Sequence, residues 1–149
     1  MIIIVALQVY SIQKRSFIEI PIFPGISAGF PSPANDYLED PIDLNKELIK
    51  NPGSTFFGRV KGLSMKDAGI DDEDILIVDK SITPRNGMVA VCFIDGEFTL
   101  KQILTGNKNS LTLAPANKQF KPIVVTPDND FIIWGIVTYV IKKMQWLDW

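Results

Sequence analysis

Two residues of this chain have the types and surroundings for hydrolytic chemistry: Ser64 and Lys101, 37 positions apart. The sequence has no histidine, which removes Ser-His-Asp triads, Cys-His dyads and histidine metal sites together. A serine that attacks a carbonyl then needs another base, and lysine is the usual replacement. The requirement on that lysine is severe. At its ordinary pKa of ~10.4 it is almost wholly protonated at neutral pH and accepts nothing. Desolvation in an apolar wall penalises the charged form and lowers the value, so a base lysine belongs in a strand among apolar neighbours. Lys101 stands in such a run, Glu97-Phe98-Thr99-Leu100-Lys101-Gln102-Ile103-Leu104. Alternation sets it on the face of Thr99 and Ile103, opposite Phe98 and Leu100. Ser64 lies in Val60-Lys61-Gly62-Leu63-Ser64-Met65, where a β-rich run stops at a glycine, with Asp67 and Gly69 behind. Such a junction can expose a hydroxyl and aim successive backbone N–H groups at a developing oxyanion. Singly, each residue has a plainer role open to it: a strand lysine is commonly solvated, and an isolated serine commonly caps a turn.

The elements that must position these side chains read as mostly β. Thr55 to Lys61 is rich in β-formers, and Ile75 to Asp79 is a short apolar run bounded by acids. Met88 to Ile94 and Glu97 to Leu104 flank Asp95-Gly96, a two-residue hairpin signal. Gly106 to Asn109 marks another turn, before Ser110 to Ala114, Lys121 to Val125 and Phe131 to Ile141. One short helix is expected ahead of them: Asp40 as cap, Pro41 in the first position, Leu44 and Leu48 on one face, and Asn51-Pro52-Gly53 as the stop. Between residues 21 and 41, Pro21, Pro24, Gly25, Gly29, Pro31, Pro33 and Pro41 argue for an extended arm, suited to a protease substrate or to a plain linker.

Composition narrows the classes. The 149 residues suit one domain, or one with a short arm, and 46% hydrophobic content supports a folded core. A formal charge of −2 supplies no general field for nucleic acid. Cys92 is the sole cysteine, so no intrachain disulfide or zinc-thiolate cluster forms, and its apolar run marks it as a small buried hydrophobe. The apolar stretch Ile2 to Leu7 is far short of the ~20 residues of a span, and no positive charge precedes it as in a secretory signal. It reads as a β-like or partner-covered arm, with peripheral membrane contact as the alternative.

The combination is more specific than its parts. Gly62-Leu63-Ser64-Met65-Lys66-Asp67 with Gly69-Ile70, Asp95-Gly96-Glu97-Phe98-Thr99-Leu100-Lys101, and Ala28-Gly29-Phe30-Pro31-Ser32-Pro33-Ala34 occur in order. They resemble the nucleophile, lysine and cleavage segments of the LexA/UmuD self-cleaving serine peptidases. The continuation through Asp36-Tyr37 points to the UmuD branch, and Phe120 to Val125 also looks familial. Leu63 departs from the aspartate frequent in UmuD-type proteins. Lys61 lies close to Ser64 in sequence, and its charge would depress Lys101 further if the two side chains approach.

The resemblance implies a compact, mostly-β peptidase domain of short twisted strands with one short helix and an extended N-terminal arm. It implies that Lys101 deprotonates Ser64, that Ser64 attacks the carbonyl of Ala28, and that the N–H groups of Leu63 and Ser64 hold the oxyanion. Residues 1–28 would be a cleavable arm, 29–40 an extended segment after the cut, and 41–149 the peptidase-like domain. No cofactor or metal is implied. The implied role is that of a cytoplasmic accessory subunit of an error-prone Y-family translesion polymerase in the SOS DNA-damage response. It would form a homodimer, and a RecA filament on single-stranded DNA would stimulate its cleavage. With 28 residues ahead of the cut, a helix-turn-helix module is not expected, nor is sequence-specific DNA binding or a membrane anchor. The rival readings are a signal-peptidase-like Ser-Lys enzyme acting in trans, and a non-catalytic binding module of the same fold. For the Trp146 to Trp149 tail, an interface cover and a disordered end stand as equal expectations.

Overall fold

The computed structural model describes residues 6–11, 41–62, 65–107, 110–115 and 121–144, for 6–11 the backbone alone. The chain divides into two units, Met1–Ile12 with Asn51–Trp149, and Gln13–Lys50. The arm of residues 21–40, the Trp146 to Trp149 tail and Ile2 to Val5 lie outside the described residues.

In the smaller unit the helix starts later than expected. It spans Leu44–Leu48 (α1), and its cap is Asp43, whose carboxylate accepts the Asn45 N–H at 3.0 Å. Asp40, the cap expected from sequence, lies outside the described residues, and Pro41 precedes the helix. A competent acid closer to the apolar pair satisfied the first free amides. The helix ends at Leu48, and Pro52–Ser54 forms a separate 3-10 turn.

The described residues of the larger unit form an antiparallel sheet of eight strands. In chain order they are Ala6–Ser11 (β1), Thr55–Lys61 (β2), Ile75–Asp79 (β3), Val89–Ile94 (β4), Glu97–Thr105 (β5), Leu111–Ala114 (β6), Ile123–Val125 (β7) and Phe131–Ile141 (β8). Their order across the sheet is β1-β2-β3-β8-β4-β5-β6-β7. Among the described residues the fold is mostly β with one short α-helix, as the sequence implies. Of the expected N-terminal β-like stretch Ile2 to Leu7, Ala6 and Leu7 are described, and both lie in the strand Ala6–Ser11. The Asp95-Gly96 hairpin forms with both φ angles positive, 49° and 89°, the signature of a type I′ turn. The Asp95 carboxylate locks it further, accepting from Asn129 Nδ2 at 2.9 Å and the Asp130 N–H at 3.0 Å.

β8 does the joining. Residues 136–141 pair with β3, and residues 131–136 pair with β4. The register skips Trp134 against β4 and Thr138 against β3, bulges that bend and twist a strand locally. Gly135 sits between them because a Cβ there would lie 2.6 Å from Val78 Cγ1. Two apolar clusters form the core. One gathers Val60, Met65, Ile70, Leu76, Val78, Val91 and Leu100, with Phe98 and Trp134 against it. Trp134 meets Phe56 at 5.2 Å and Phe98 at 5.9 Å between ring centroids, and Lys80 Nζ lies 4.9 Å from its ring centre. The other cluster contains Ala90, Cys92, Ile94, Ile103, Leu113 and Ile136. β4 and β5 contribute to both, so their middle residues are covered on both faces.

Candidate active site

Lys101 is buried on the face of β5 that carries the second cluster. It pairs with Ala90 across the β4–β5 ladder, two residues from the Cys92–Thr99 pair on the same face. Alternation sends Leu100 and Val91 into one cluster, and Lys101 onto the opposite face with Thr99, Ala90, Cys92 and Ile103. That is the face expected from sequence. Its burial is what a base lysine would need and not what a solvated strand lysine would show: Lys101 is 3% exposed, and Thr99 2%.

Burial depresses the Lys101 pKa below its ordinary value, opposed by the Cys92 thiol. Cys92 is itself fully buried, and burial pushes it up to about 12 against the pull of Lys101. A thiol with that pKa is neutral at pH 7, so it supplies no anion there to hold a proton on the lysine. Desolvation therefore governs Lys101. The Thr99 hydroxyl on the same face is buried and has no hydrogen-bond partner among the described residues.

The segment carrying the expected nucleophile is described on both sides of it. β2 ends at Lys61, and Gly62 turns the chain at φ 113°, a region that favours glycine. Its N–H donates to Asp72 Oδ1 at 2.9 Å. Lys61 pairs with Glu73, whose other oxygen lies 3.5 Å from Arg59. The Val60 N–H donates to the Asp74 carbonyl at 2.8 Å, and the Glu73 N–H returns to the Val60 carbonyl at 2.8 Å. Lys142 Nζ then bridges Asp71 at 2.7 Å and Asp74 at 2.6 Å, and these pairs raise its pKa. After the junction, Met65 is 1% exposed within the first cluster, and its carbonyl accepts the Ala68 N–H at 3.0 Å. The backbone is thus pinned by an acidic loop before the junction and by the core after it.

Leu63 and Ser64 lie outside the described residues, as do Ala28 and Gly29 of the expected cut. Lys101 is described, in a setting that suits a neutral amine. Lys61 is occupied by Glu73, and Lys101 owes its shift to burial. The hold of Asp72 on Gly62 was missed from sequence; the run Asp71 to Asp74 behind the nucleophile segment was the available signal. Among the described residues no group of three or more His, Cys, Asp or Glu side chains is placed to hold a metal ion. Nor is any helix among them long and apolar enough to cross a membrane.

A family model described as peptidase S24-like matches residues 21–138 of this sequence. The chain belongs to that family. The match runs through the Ala28-Gly29, Ser64 and Lys101 segments on which the LexA/UmuD resemblance rests. Protein MucA of Salmonella typhimurium is 43% identical over 115 residues, covering 76% of this chain and 77% of that protein. Protein ImpA of Shigella flexneri is 41% identical over 118 residues, 79% of each chain. Protein SamA of Salmonella typhimurium is 39% identical over 121 residues, 81% of this chain and 83% of its own. This chain is a peptidase S24-like protein of the UmuD type, with relatives of similar length.

Proposed function

We propose that this S24-like chain cuts its own Ala28–Gly29 bond with a Ser64–Lys101 dyad. The observation that carries the reading is the burial of Lys101, which depresses its pKa. Neutral Lys101 Nζ takes the proton from Ser64 Oγ as that oxygen attacks the Ala28 carbonyl carbon. The N–H groups of Leu63 and Ser64 receive the oxyanion. Collapse breaks the Ala28–Gly29 bond, and the Lys101 ammonium returns a proton to the departing Gly29 amine. Lys101 then deprotonates a water that cleaves the Ala28–Ser64 ester, releasing the Ala28 carboxylate and free Ser64. The products are residues 1–28 and 29–149. Small residues on both sides of the bond let the arm come close.

In the UmuD manner, the 29–149 product serves as a dimeric accessory subunit of a translesion polymerase in the cytoplasmic SOS response. A RecA filament on single-stranded DNA promotes the cut. The first test follows the intact mass of the purified chain from neutral to strongly alkaline pH, beside Ser64→Ala and Lys101→Ala. A product beginning at Gly29, forming faster as pH rises and absent from both variants, is the expected result. A wild-type chain that stays whole under alkali and with RecA filaments removes the reading.

A further inference from the structure

The outermost strand at one side of the sheet comes from the part of the chain that the proposed cut would release. β1 pairs with β2 over six positions, from Ala6 opposite Lys61 to Ser11 opposite Phe56. The hydrogen bonds of β2 toward β3 use even-numbered residues: Ser54 accepts from the Lys80 N–H at 2.9 Å, and Val60 exchanges with Asp74 and Glu73 at 2.8 Å. Bonding direction alternates along a strand. The N–H and C=O groups of Phe57, Arg59 and Lys61 therefore face β1, opposite Tyr10, Gln8 and Ala6.

Only the covalent connection keeps so short a strand at high local concentration. Once residues 1–28 are a separate peptide, that advantage is lost, and the six ladder positions on β2 with the contacts to β5 must hold the strand unaided. Its departure bares a sheet edge, which is a template for another strand. Two features beside this edge select what replaces it. A hollow of about 180 Å³, lined by Phe57, Gly58, Arg59 and Ile75, adjoins it and is of a size for one apolar side chain. Among the described residues Arg59 and Lys61 both pair with Glu73, and Arg59, 3.5 Å from it and partly exposed, keeps N–H donors for a second carboxylate.

We propose that the cut opens β2 to an extended segment of a partner protein, which adds antiparallel in place of β1. That segment carries an apolar residue opposite Phe57 to fill the hollow and a carboxylate opposite Arg59. Main-chain hydrogen bonds supply its affinity, and the hollow and the charge supply its selectivity. The proposal rests on the self-cleavage reading for its trigger.

The test uses a fluorescent peptide with the sequence of residues 4–13, added to the full chain before and after cutting. The cut chain should bind it about tenfold or more tightly than the intact chain. Replacing Gln8 by Glu in the peptide should tighten binding several-fold, and N-methylation of the residue 8 amide should weaken it several-fold by removing one ladder donor. The amides of Phe57, Arg59 and Lys61 should exchange faster after cutting and be protected again by the peptide. A parallel chain carries Ser64→Ala and a specific protease site in place of residues 26–30, and is cut by that protease after folding. If it binds the peptide while the wild type never cuts itself, self-cleavage fails and the edge stands. If neither cut form binds, or the β2 amides stay protected with the protein monomeric, the edge proposal is overturned. A cut chain that doubles in mass, protects these amides and refuses the peptide overturns it in favour of a second copy as occupant.

Discussion

Lys101 on β5 and Asp79 at the end of β3 are both ionisable and nearly water-free, 3% and 4% exposed, yet they are handled in opposite ways. Burial tends to raise the Asp79 pKa, but Asn51 Nδ2 donates at 2.8 Å, Ser54 Oγ at 2.9 Å, the Ser81 N–H at 2.8 Å and Ser81 Oγ at 2.7 Å. These donors outweigh desolvation and bring the carboxyl down to about 2. Lys101 has an apolar wall and a neutral thiol around it, and desolvation prevails. One site spends protein hydrogen bonds to keep a charge. The other lowers the pKa of an amine by desolvation instead. The Asp79 site and the proposed base site thus differ in the partners they supply more than in their depth.

The sharpest way to break this contrast is Lys101→Met. Self-cleavage should fall by at least ~10³-fold, as for loss of a catalytic base, read by intact mass. The variant should also melt higher than the wild type at neutral pH. With a folded pKa below the unfolded value, Lys101 binds fewer protons folded than unfolded. Its presence therefore costs stability at pH values below that window, and the cost disappears as pH rises to the ordinary lysine value. Next, Cys92→Asp gives Lys101 the kind of partner that Asp79 enjoys in reverse. Neutral-pH cleavage should drop roughly 10- to 100-fold, and the midpoint of the pH–rate curve should move to higher pH, with activity recovered there.

Asp79→Ala probes the other site. Removing an acceptor shared by four donors should cost about 2–3 kcal/mol in denaturant unfolding, with the midpoint of the cleavage pH profile unmoved. In the wild type, the Asp79 contribution is fully present above about pH 4 and is lost as pH falls through about 2; acid unfolding of the alanine variant should lack it. The smallest effect is expected from Thr99→Val, which replaces a buried hydroxyl without a partner among the described residues by a methyl of similar shape. Its stability should stay within ~1 kcal/mol of the wild type or rise.

Local signals carried much of the fold. The Asp95-Gly96 turn could be read because a type I′ geometry needs two positive φ angles, and the Asp-Gly pair tolerates them. β2, β3 and β8 could be read because β-branched and aromatic runs mark strands. The start of α1 was misplaced because Asp40 and Asp43 are equally competent caps as residue types. The face of Lys101 followed from alternation, but its full burial did not. Lys101 and Thr99 interrupt an apolar run, which imitates a half-exposed strand, and it takes the second cluster behind β4 and β5 to cover them. The Asp79 cradle was invisible for a similar reason: Asn51, Ser54 and Ser81 are ordinary turn residues until β2 and β3 align them.

β8 has a consequence for how the protein tolerates change. Hydrogen-bonded continuity passes through this one strand, from the half of the sheet that leads into Ser64 to the half that bears Lys101. It acts as the common ruler for both halves. One residue inserted between Trp134 and Thr138 would slide the halves by about 3.3 Å, a single strand step, without touching a residue of the dyad. An error of that length far exceeds what a proton transfer across a hydrogen bond accepts. Chain length in β8 is therefore as much a condition of the proposed chemistry as the identity of Ser64 or Lys101.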